Sequence, residues 1–195
     1  MIIGITGSSG AGKSTICEIL KKEYNVKIIN ADQIAKRLSN KGTNYMNDII
    51  KSFGNDIVDE KGELKRKKLG QIIYNNPEKR KKLNDCTFKY IKKEIEEEIE
   101  RNKEDITIID APLLFECGLE KLCDKVIGII SKRDLQIERI VARDNIDYKQ
   151  AESRLNAQED NEFYIKKCDV IIENNNDMED IEKKIRKVAQ SYKIN

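Results

Sequence analysis

The sequence predicts an α/β fold in which helices pack against a parallel β-sheet. Short apolar runs recur along the chain, most are rich in β-branched residues, and segments with helical spacing separate them. Runs that are nearly continuous rather than alternating are typical of strands buried on both faces of a parallel sheet. Their alternation with helices favours a layered fold with right-handed crossovers. The predicted strands are residues 2–6, 26–29, 106–109, 126–130 and 170–172.

Helical spacing marks residues 15–24 and the segments that begin near 135 and 177. The interval 33–105, between the second and third strands, is too long for one crossover and predicts an inserted helical subdomain. Within it, isoleucines repeat every fourth residue among charged residues that can pair at the same spacing. This pattern predicts a long solvated helix that packs along one narrow edge, with the stripe Ile91, Ile95 and Ile99.

Composition excludes several classes of function. The chain has 195 residues with 37 Lys+Arg and 35 Asp+Glu, and a net charge of +2 lacks the basic excess that is typical of nucleic-acid binding. No apolar run approaches the roughly 20 residues that a membrane span needs. The N-terminus lacks the features of a signal peptide, and the five cysteines are scattered without C-x-x-C spacing. We therefore expect a cytoplasmic protein with reduced thiols and without a disulfide framework or zinc site.

The chain has no histidine. Ser–His and Cys–His nucleophilic pairs and histidine metal sites are therefore excluded. A general base must be a carboxylate or, less favourably, a Lys, Tyr or Cys side chain.

The most informative motif is a glycine-rich loop at residues 7–14, which fits the pattern G-x-x-x-x-G-K-[ST]. It follows the predicted strand 2–6 and opens a helical segment, so backbone amides and the positive helix end can surround a phosphate. In such loops the lysine, here Lys13, neutralises the β- and γ-phosphates, and the hydroxyl, here Ser14, ligates Mg²⁺. The glycines run G-x-x-G-x-G and not G-x-G-x-x-G, which excludes a dinucleotide fingerprint. The motif predicts a nucleoside triphosphate site.

Three classes of triphosphate-binding protein carry such a loop: small-molecule kinases, GTPase switches and ATPase motors. A GTPase is disfavoured because Ser131 stands where a guanine-reading N-K-x-D motif needs Asn, and no D-x-x-G follows the third strand. A motor would need a longer chain and an assembly surface. A kinase accounts best for three further segments of the sequence.

Asp32 follows the second predicted strand, and ligands of open parallel sheets bind at the carboxyl ends of strands. This carboxylate can accept the proton of an attacking hydroxyl. The alternative is that Asp32 caps a helix beginning at Gln33. Position alone does not separate these two roles.

Asp110 directly follows the third strand, like the Walker-B acid that holds Mg²⁺ through water, and the next residues 112–115 offer an apolar wall for substrate. The alternative is a strand exit with a buried turn. Arg139 and Arg143 lie one helical turn apart, with Arg154 further along. They predict a lid that closes on phosphates, or else surface ion pairs with Glu138 or Asp144.

At these residues the sequence resembles the dephospho-coenzyme A kinase family. The matching segments occur in order over nearly the whole chain, and Asp-x-Pro-Leu-Leu-Phe-Glu and Gly-x-Leu-x-Arg are the most specific of them. They are residues 7–14, 30–35, 53–54, 62–69, 110–116, 143–144, Gln158 and 168–174.

The resemblance implies ATP-dependent phosphorylation of the ribose 3′-hydroxyl of dephospho-coenzyme A, with ATP as co-substrate and Mg²⁺ as cofactor. It implies a five-stranded parallel sheet of the P-loop kinase kind in a single domain 1–195, a helical substrate-binding insertion at 33–105 and a lid at 135–160. No nucleic-acid, membrane or obligate protein partner is expected.

The resemblance also assigns residue roles. Asp32, Lys13 and Arg143 are implied to be catalytic, and Ser14 and Asp110 to hold the metal, Asp110 through water. The implied ATP-binding residues are Gly7, Gly10, Ala11, Gly12, Lys13, Ser14, Thr15, Arg139, Arg143 and Asn174. The implied substrate-binding residues are Asp32, Arg66, Pro112, Leu113, Leu114, Phe115 and Glu116. For Arg66 the alternative is that it stabilises the inserted subdomain.

Two positions depart from the family pattern. Thr87-Phe88-Lys89 stands where Thr-His-Pro is frequent, and Asn30 stands where a second acid is common. The remaining alternatives are a nucleoside or nucleoside-monophosphate kinase on the same scaffold, and a nucleotide-binding regulatory protein without transfer activity.

Overall fold

A five-stranded parallel sheet is the main feature of the computed structural model, which describes residues 1–74, 76–102, 105–175 and 177–194. The predicted fold class is confirmed, and each predicted strand is present with its ends shifted by no more than one residue. The strand order is β2-β3-β1-β4-β5. The strands are β1 (Ile2–Thr6), β2 (Lys27–Asn30), β3 (Thr107–Asp110), β4 (Lys125–Ile130) and β5 (Val170–Glu173).

The inner strands explain the continuous apolar runs of the sequence. All four residues of β3 are buried, as are residues 3–6 of β1 and 126–130 of β4. Strands covered on both faces cannot alternate apolar with polar side chains. Because β1 lies between β3 and β4, the chain leaves it towards one side of the sheet and later returns to the other. Such a reversal leaves a ligand-binding crevice at the carboxyl ends of the strands.

Helices connect these strands. They are α1 (Lys13–Glu23), α2 (Ala31–Leu38), α3 (Asn44–Phe53), α4 (Arg66–Tyr74), α5 (Pro77–Arg101), α6 (Arg133–Asp144), α7 (Tyr148–Asn156), α8 (Asn161–Lys167) and α9 (Met178–Tyr192). Among the described residues, no helix is both long enough and apolar enough to cross a membrane.

The chain divides into two compact units. The first comprises residues 1–29 and 102–195 and contains β1 and β3–β5 with their flanking helices. Its main core is formed by side chains from the strands, α1 and α9. Those that are no more than 3% exposed include Ile3, Ile5, Ile16, Leu20, Ile108, Ile127, Ile129, Ile181 and Ile185.

The second unit comprises residues 30–101 and contains α2–α5. The predicted long helix is present as α5, where Ile91 and Ile95 are 8% and 0% exposed. Charged pairs at four-residue spacing line its solvent side, with Lys92 Nζ 4.0 Å from a Glu96 carboxylate oxygen. The amphipathic pattern explains why so charged a helix is stable. Whether this unit binds substrate stays a prediction.

Helices α6 and α7 form a hairpin within the first unit. They enclose a small separate core of Ile137, Ile140, Ala151 and Leu155. This hairpin occupies most of the predicted lid segment 135–160. Because the hairpin has its own core, its two helices can move together as one body. Such a motion stays a prediction.

Candidate nucleotide-binding site

The glycine-rich loop joins β1 to α1, as the motif predicts. Gly12 is the residue before α1 and has φ 98° and ψ 25°, and no side chain caps the helix at this point. The first-turn amides of a helix have no acceptor within the helix, and the helix dipole adds positive potential there. Lys13, Ser14 and Thr15 begin this turn, which contains no acidic residue. The arrangement suits an anion.

The loop has no room for a side chain at its last glycine. A Cβ atom added to Gly12 would lie 1.9 Å from Nδ2 of Asn174, and the positive φ of Gly12 is itself unfavourable for other residues. Asn174 follows β5 and is 8% exposed, and its Nδ2 donates to the main-chain oxygen of Ala11 at 2.8 Å. The family resemblance implies that Asn174 binds ATP. The structure shows its amide bonded to the loop backbone, and a direct contact with ATP stays a prediction.

The Lys13 side chain folds back onto the glycine-rich loop. Its Nζ donates to the main-chain oxygens of Gly7 at 2.5 Å and Ser8 at 3.3 Å. The ammonium is therefore held against the loop backbone, and its role in neutralising phosphate charge stays a prediction.

Asp110 is brought beside the loop by the sheet. It is 6% exposed at the end of β3, and its Cα pairs in register with Ile5 of β1, two residues before the loop. Burial raises the pKa of the Cys17 thiol in α1, the Asp110 charge raises it further, and the Lys13 charge lowers it. Asp110 and Lys13 therefore both act electrostatically on one point of α1.

Ser14 and Asp110 offer a hydroxyl and a carboxylate, the hard oxygen donors that Mg²⁺ prefers. No group of three or more His, Cys, Asp or Glu side chains within the described ranges could hold a metal ion. A magnesium ion bound here would therefore take most of its ligands from phosphate and water, as Mg²⁺ commonly does. The donor set fits the predicted metal, whose presence stays a prediction.

Arg139 of α6 bonds to the backbone of the glycine-rich loop and to residues beside it. Its guanidinium donates to the main-chain oxygens of Gly10 at 3.1 Å and Asn174 at 3.0 Å, and to Ser131 Oγ at 3.2 Å. These bonds link α6 to the loop backbone. A direct contact between Arg139 and ATP stays a prediction.

Arg143 forms one of the ion pairs that the sequence left as an alternative. Its Nε and Nη2 donate to the two Asp144 carboxylate oxygens at 2.8 and 2.9 Å, and Arg154 also donates to Asp144. The Arg143 side chain is nevertheless 59% exposed. An exposed arginine can exchange its carboxylate for a phosphate.

The segment after β3 divides into buried and accessible residues. Leu113 is 38% exposed, whereas Leu114 is fully buried and packs against Gly4. The prediction that Leu114 belongs to an apolar wall facing substrate is therefore wrong, because this side chain is buried and offers no surface to substrate. Pro112 and Phe115 are half-buried, and the Phe115 ring meets Phe163 edge-on at 5.4 Å. Glu116 is accessible, although partial desolvation and the nearby Glu159 and Glu120 carboxylates raise its pKa.

In the second unit, Asn30 and not Asp32 caps α2. The Asn30 side chain accepts from the Gln33 amide at 2.8 Å, so the capping alternative for Asp32 is wrong. Asp32 is exposed in the first turn of α2. The departure of Asn30 from the family pattern preserves the cap, because Asn and Asp are comparably good N-cap residues.

Arg66 begins α4 and bonds to residues that end α2. Its Nη2 donates to Ser39 Oγ and, at 3.4 Å, to the Lys36 main-chain oxygen. Nearby, burial raises the pKa of Tyr45 to about 12, while the Arg66 charge lowers it and the Asp32 charge raises it. Tyr45, which the sequence analysis missed, thus interacts electrostatically with two of the predicted substrate-binding residues, Arg66 and Asp32.

Sequence reasoning also missed Gln136. This side chain of α6 is 4% exposed and bonds to the glycine-rich loop. An isolated glutamine in a helix carries no motif, so only its burial and its bonds to the loop identify it.

The sheet order, the loop after the middle strand and the buried acid at the end of β3 define a P-loop kinase. A sequence model of the dephospho-CoA kinase family matches residues 1–180, and the chain belongs to that family.

Individual relatives agree. The chain is 41% identical over 191 residues to a dephospho-CoA kinase of Fusobacterium nucleatum, covering 98% of each chain. It is 36% identical to one from Listeria innocua, covering 94% of this chain and 92% of the relative. Among solved structures, dephospho-CoA kinase from Campylobacter jejuni has a TM-score of 0.67 with 33% identity, covering 98% and 96% of the chains. A shikimate kinase from Acinetobacter baumannii, 15% identical with a TM-score of 0.60 and coverage of 100% and 95%, shares the fold.

Proposed function

We propose that the protein transfers the γ-phosphoryl group of ATP to the ribose 3′-hydroxyl of dephospho-coenzyme A, which yields coenzyme A and ADP in the last step of coenzyme A synthesis. The family match over residues 1–180 carries this proposal. The loop between β1 and α1 supports ATP as the donor, because its amides and Lys13 suit a polyphosphate.

In this proposal the backbone of residues 7–12 and the first turn of α1 cradle the phosphates. Lys13 neutralises the β- and γ-phosphate charge, and Arg143 joins it on the transferring group after leaving Asp144. Ser14 and, through water, Asp110 would hold Mg²⁺, which when bound screens phosphate charge.

Asp32 is the proposed general base. Its carboxylate accepts the 3′-hydroxyl proton while the hydroxyl oxygen bonds to the γ-phosphorus. The bond from that phosphorus to the β–γ bridging oxygen breaks, and its electrons leave with ADP. The exposure of Asp32 supports this role, and Asn30, not Asp32, accepts the capping bond from the Gln33 amide. Arg66 and the accessible residues Pro112, Leu113, Phe115 and Glu116 are the proposed substrate contacts.

The test is ADP release from Mg²⁺-ATP with dephospho-coenzyme A, beside AMP, CMP, uridine and adenosine as acceptors. We expect turnover to favour dephospho-coenzyme A strongly, with the new phosphate at the 3′ position. Preference for a nucleotide acceptor would overturn the substrate and keep the ATP site. ATP binding without transfer to any acceptor would instead favour a regulatory protein.

A further inference from the structure

The peptide groups of Ser9, in the glycine-rich loop, are held by two glutamines from the α6–α7 hairpin. Nε2 of Gln136 in α6 donates to the Ser9 main-chain oxygen at 3.0 Å and to Ser8 Oγ at 2.6 Å. Oε1 of Gln158, two residues beyond α7, accepts from the Ser9 amide at 2.8 Å. One glutamine thus acts as donor and the other as acceptor on the same residue.

These two bonds fix the orientation of two consecutive peptide planes. The Ser9 amide belongs to the Ser8–Ser9 peptide, and the Ser9 oxygen belongs to the Ser9–Gly10 peptide. In a planar trans peptide the C=O and N–H groups point in opposite directions. By holding the Ser9 oxygen towards α6, Gln136 therefore directs the Gly10 amide away from α6.

The backbone of α6 also limits the loop at the next residue. Gly10 has φ +74°, and a Cβ added to it would lie 2.5 Å from the Gln136 main-chain oxygen. The Gly10 oxygen in turn accepts from Arg139, one helical turn after Gln136. The hairpin therefore holds successive loop carbonyls on one side, which is the arrangement that leaves amides of a phosphate-binding nest on the other.

We propose that Gln136 and Gln158 are positioning residues of the nucleotide site, which hold Ser9 so that the Gly10 amide is aimed at the bound phosphates. ATP affinity then depends on the hairpin even though neither glutamine touches ATP. This inference rests on the proposed use of the loop for ATP, but not on the identity of the phosphate acceptor.

The experiment compares Gln136→Met and Gln158→Met with wild type and with Gln150→Met, an exposed glutamine of α7. Methionine has similar length and lacks the amide donor and acceptor. Equilibrium binding of ATP measures affinity directly, steady-state kinetics separates the KM values for ATP and dephospho-coenzyme A, and thermal unfolding without nucleotide reports the fold.

We expect Gln158→Met to weaken ATP binding about 3- to 10-fold, as loss of one hydrogen bond predicts, and Gln136→Met to weaken it more because it loses two. The KM for dephospho-coenzyme A and the affinity of Gln150→Met should stay at the wild-type value. A general loss of structure would instead lower the melting temperature and raise both KM values.

ATP affinity within twofold of wild type in Gln158→Met would overturn the inference, as would equal weakening by Gln150→Met. Gln158 is half-buried at the end of the hairpin, so its variant remains informative if Gln136→Met does not fold. If wild type binds ATP but does not phosphorylate dephospho-coenzyme A, the proposed function fails while the binding comparison still tests the glutamines. A wild-type protein that bound no ATP would overturn both.

Discussion

Asn174 and Gly12 are in contact across 162 positions of sequence: the Asn174 amide nitrogen fills the space in which any Cβ at position 12 would lie. The same nitrogen donates to the Ala11 main-chain oxygen at 2.8 Å. The residue that follows the last strand therefore constrains the start of α1, where the phosphates are proposed to bind.

The first prediction concerns this contact. An alanine held in the left-handed conformation should by itself weaken ATP binding about 5- to 30-fold. Gly12→Ala should weaken it further, because the new methyl group collides with Asn174. Adding Asn174→Ala removes the collision and should recover part of the lost affinity, but not all of it, because the bond from the Asn174 amide to the Ala11 main-chain oxygen is lost as well. Equilibrium ATP binding by both variants checks this, with thermal unfolding as the control for folding. No recovery in the double variant would contradict the prediction.

Asp32→Asn should lower turnover by about 10²–10⁴-fold with ATP affinity unchanged, because the amide cannot accept the proton of the attacking hydroxyl. Gln33→Ala is the matched control, since Gln33 is the exposed neighbour of Asp32 in α2. Steady-state rates with dephospho-coenzyme A and equilibrium ATP binding make the comparison. Near-normal turnover of Asp32→Asn would remove its role as base.

The Asp144 carboxylate should make stability depend on acid pH. Hydrogen bonding and charge from Arg143, with the charge of Arg154, lower the pKa of Asp144 in the folded protein. A lowered pKa stabilises the fold above the unfolded value of roughly 3.9, and this contribution is lost as pH falls through the folded value.

The measurement is urea unfolding of wild type and Asp144→Asn between pH 3 and pH 7. We expect wild type to be the more stable by a constant amount above about pH 5, and the difference to shrink towards pH 3. A difference that did not change with pH would mean that the ion pairs do not hold this carboxylate.

The thiols of Cys123 and Cys168 should resist alkylation in the native protein. Burial raises the pKa of each to about 12, with help from Glu120 and Asp124 at Cys123 and from Asp169 at Cys168. Because the thiolate is the reactive form, labelling by iodoacetamide at pH 8 should be at least about 100-fold slower than in urea. Peptide mass spectrometry over time measures both rates. Equal rates in native and unfolded protein would refute the burial of these thiols.

The sheet could be predicted from sequence because its signals are local. The runs 2–6 and 126–130 are apolar without alternation, and only strands covered on both faces favour that pattern. The glycine-rich loop is equally local, since its spacing, Lys13 and Ser14 lie within eight consecutive residues.

Other residues are of a type that fits two roles, and only their contacts in the folded protein show which role they have. Asp32 and Asn30 are both good helix caps, so only the observed bond from Gln33 to Asn30 separates cap from proposed base. Leu114 looks like a wall residue by composition, and only its packing against Gly4 shows that it is buried.

The sequence by itself determined the α/β class, the kinase family and the position of the phosphate loop, because these are carried by short motifs and by apolar runs. Tertiary structure alone decided what holds that loop in shape: Gln136, Gln158, Arg139 and Asn174 reach it from more than 120 positions away. Hydrogen bonds between such distant side chains and a loop backbone leave no periodicity or spacing in the sequence. They exist only once the sheet has brought β1, β4 and β5 side by side.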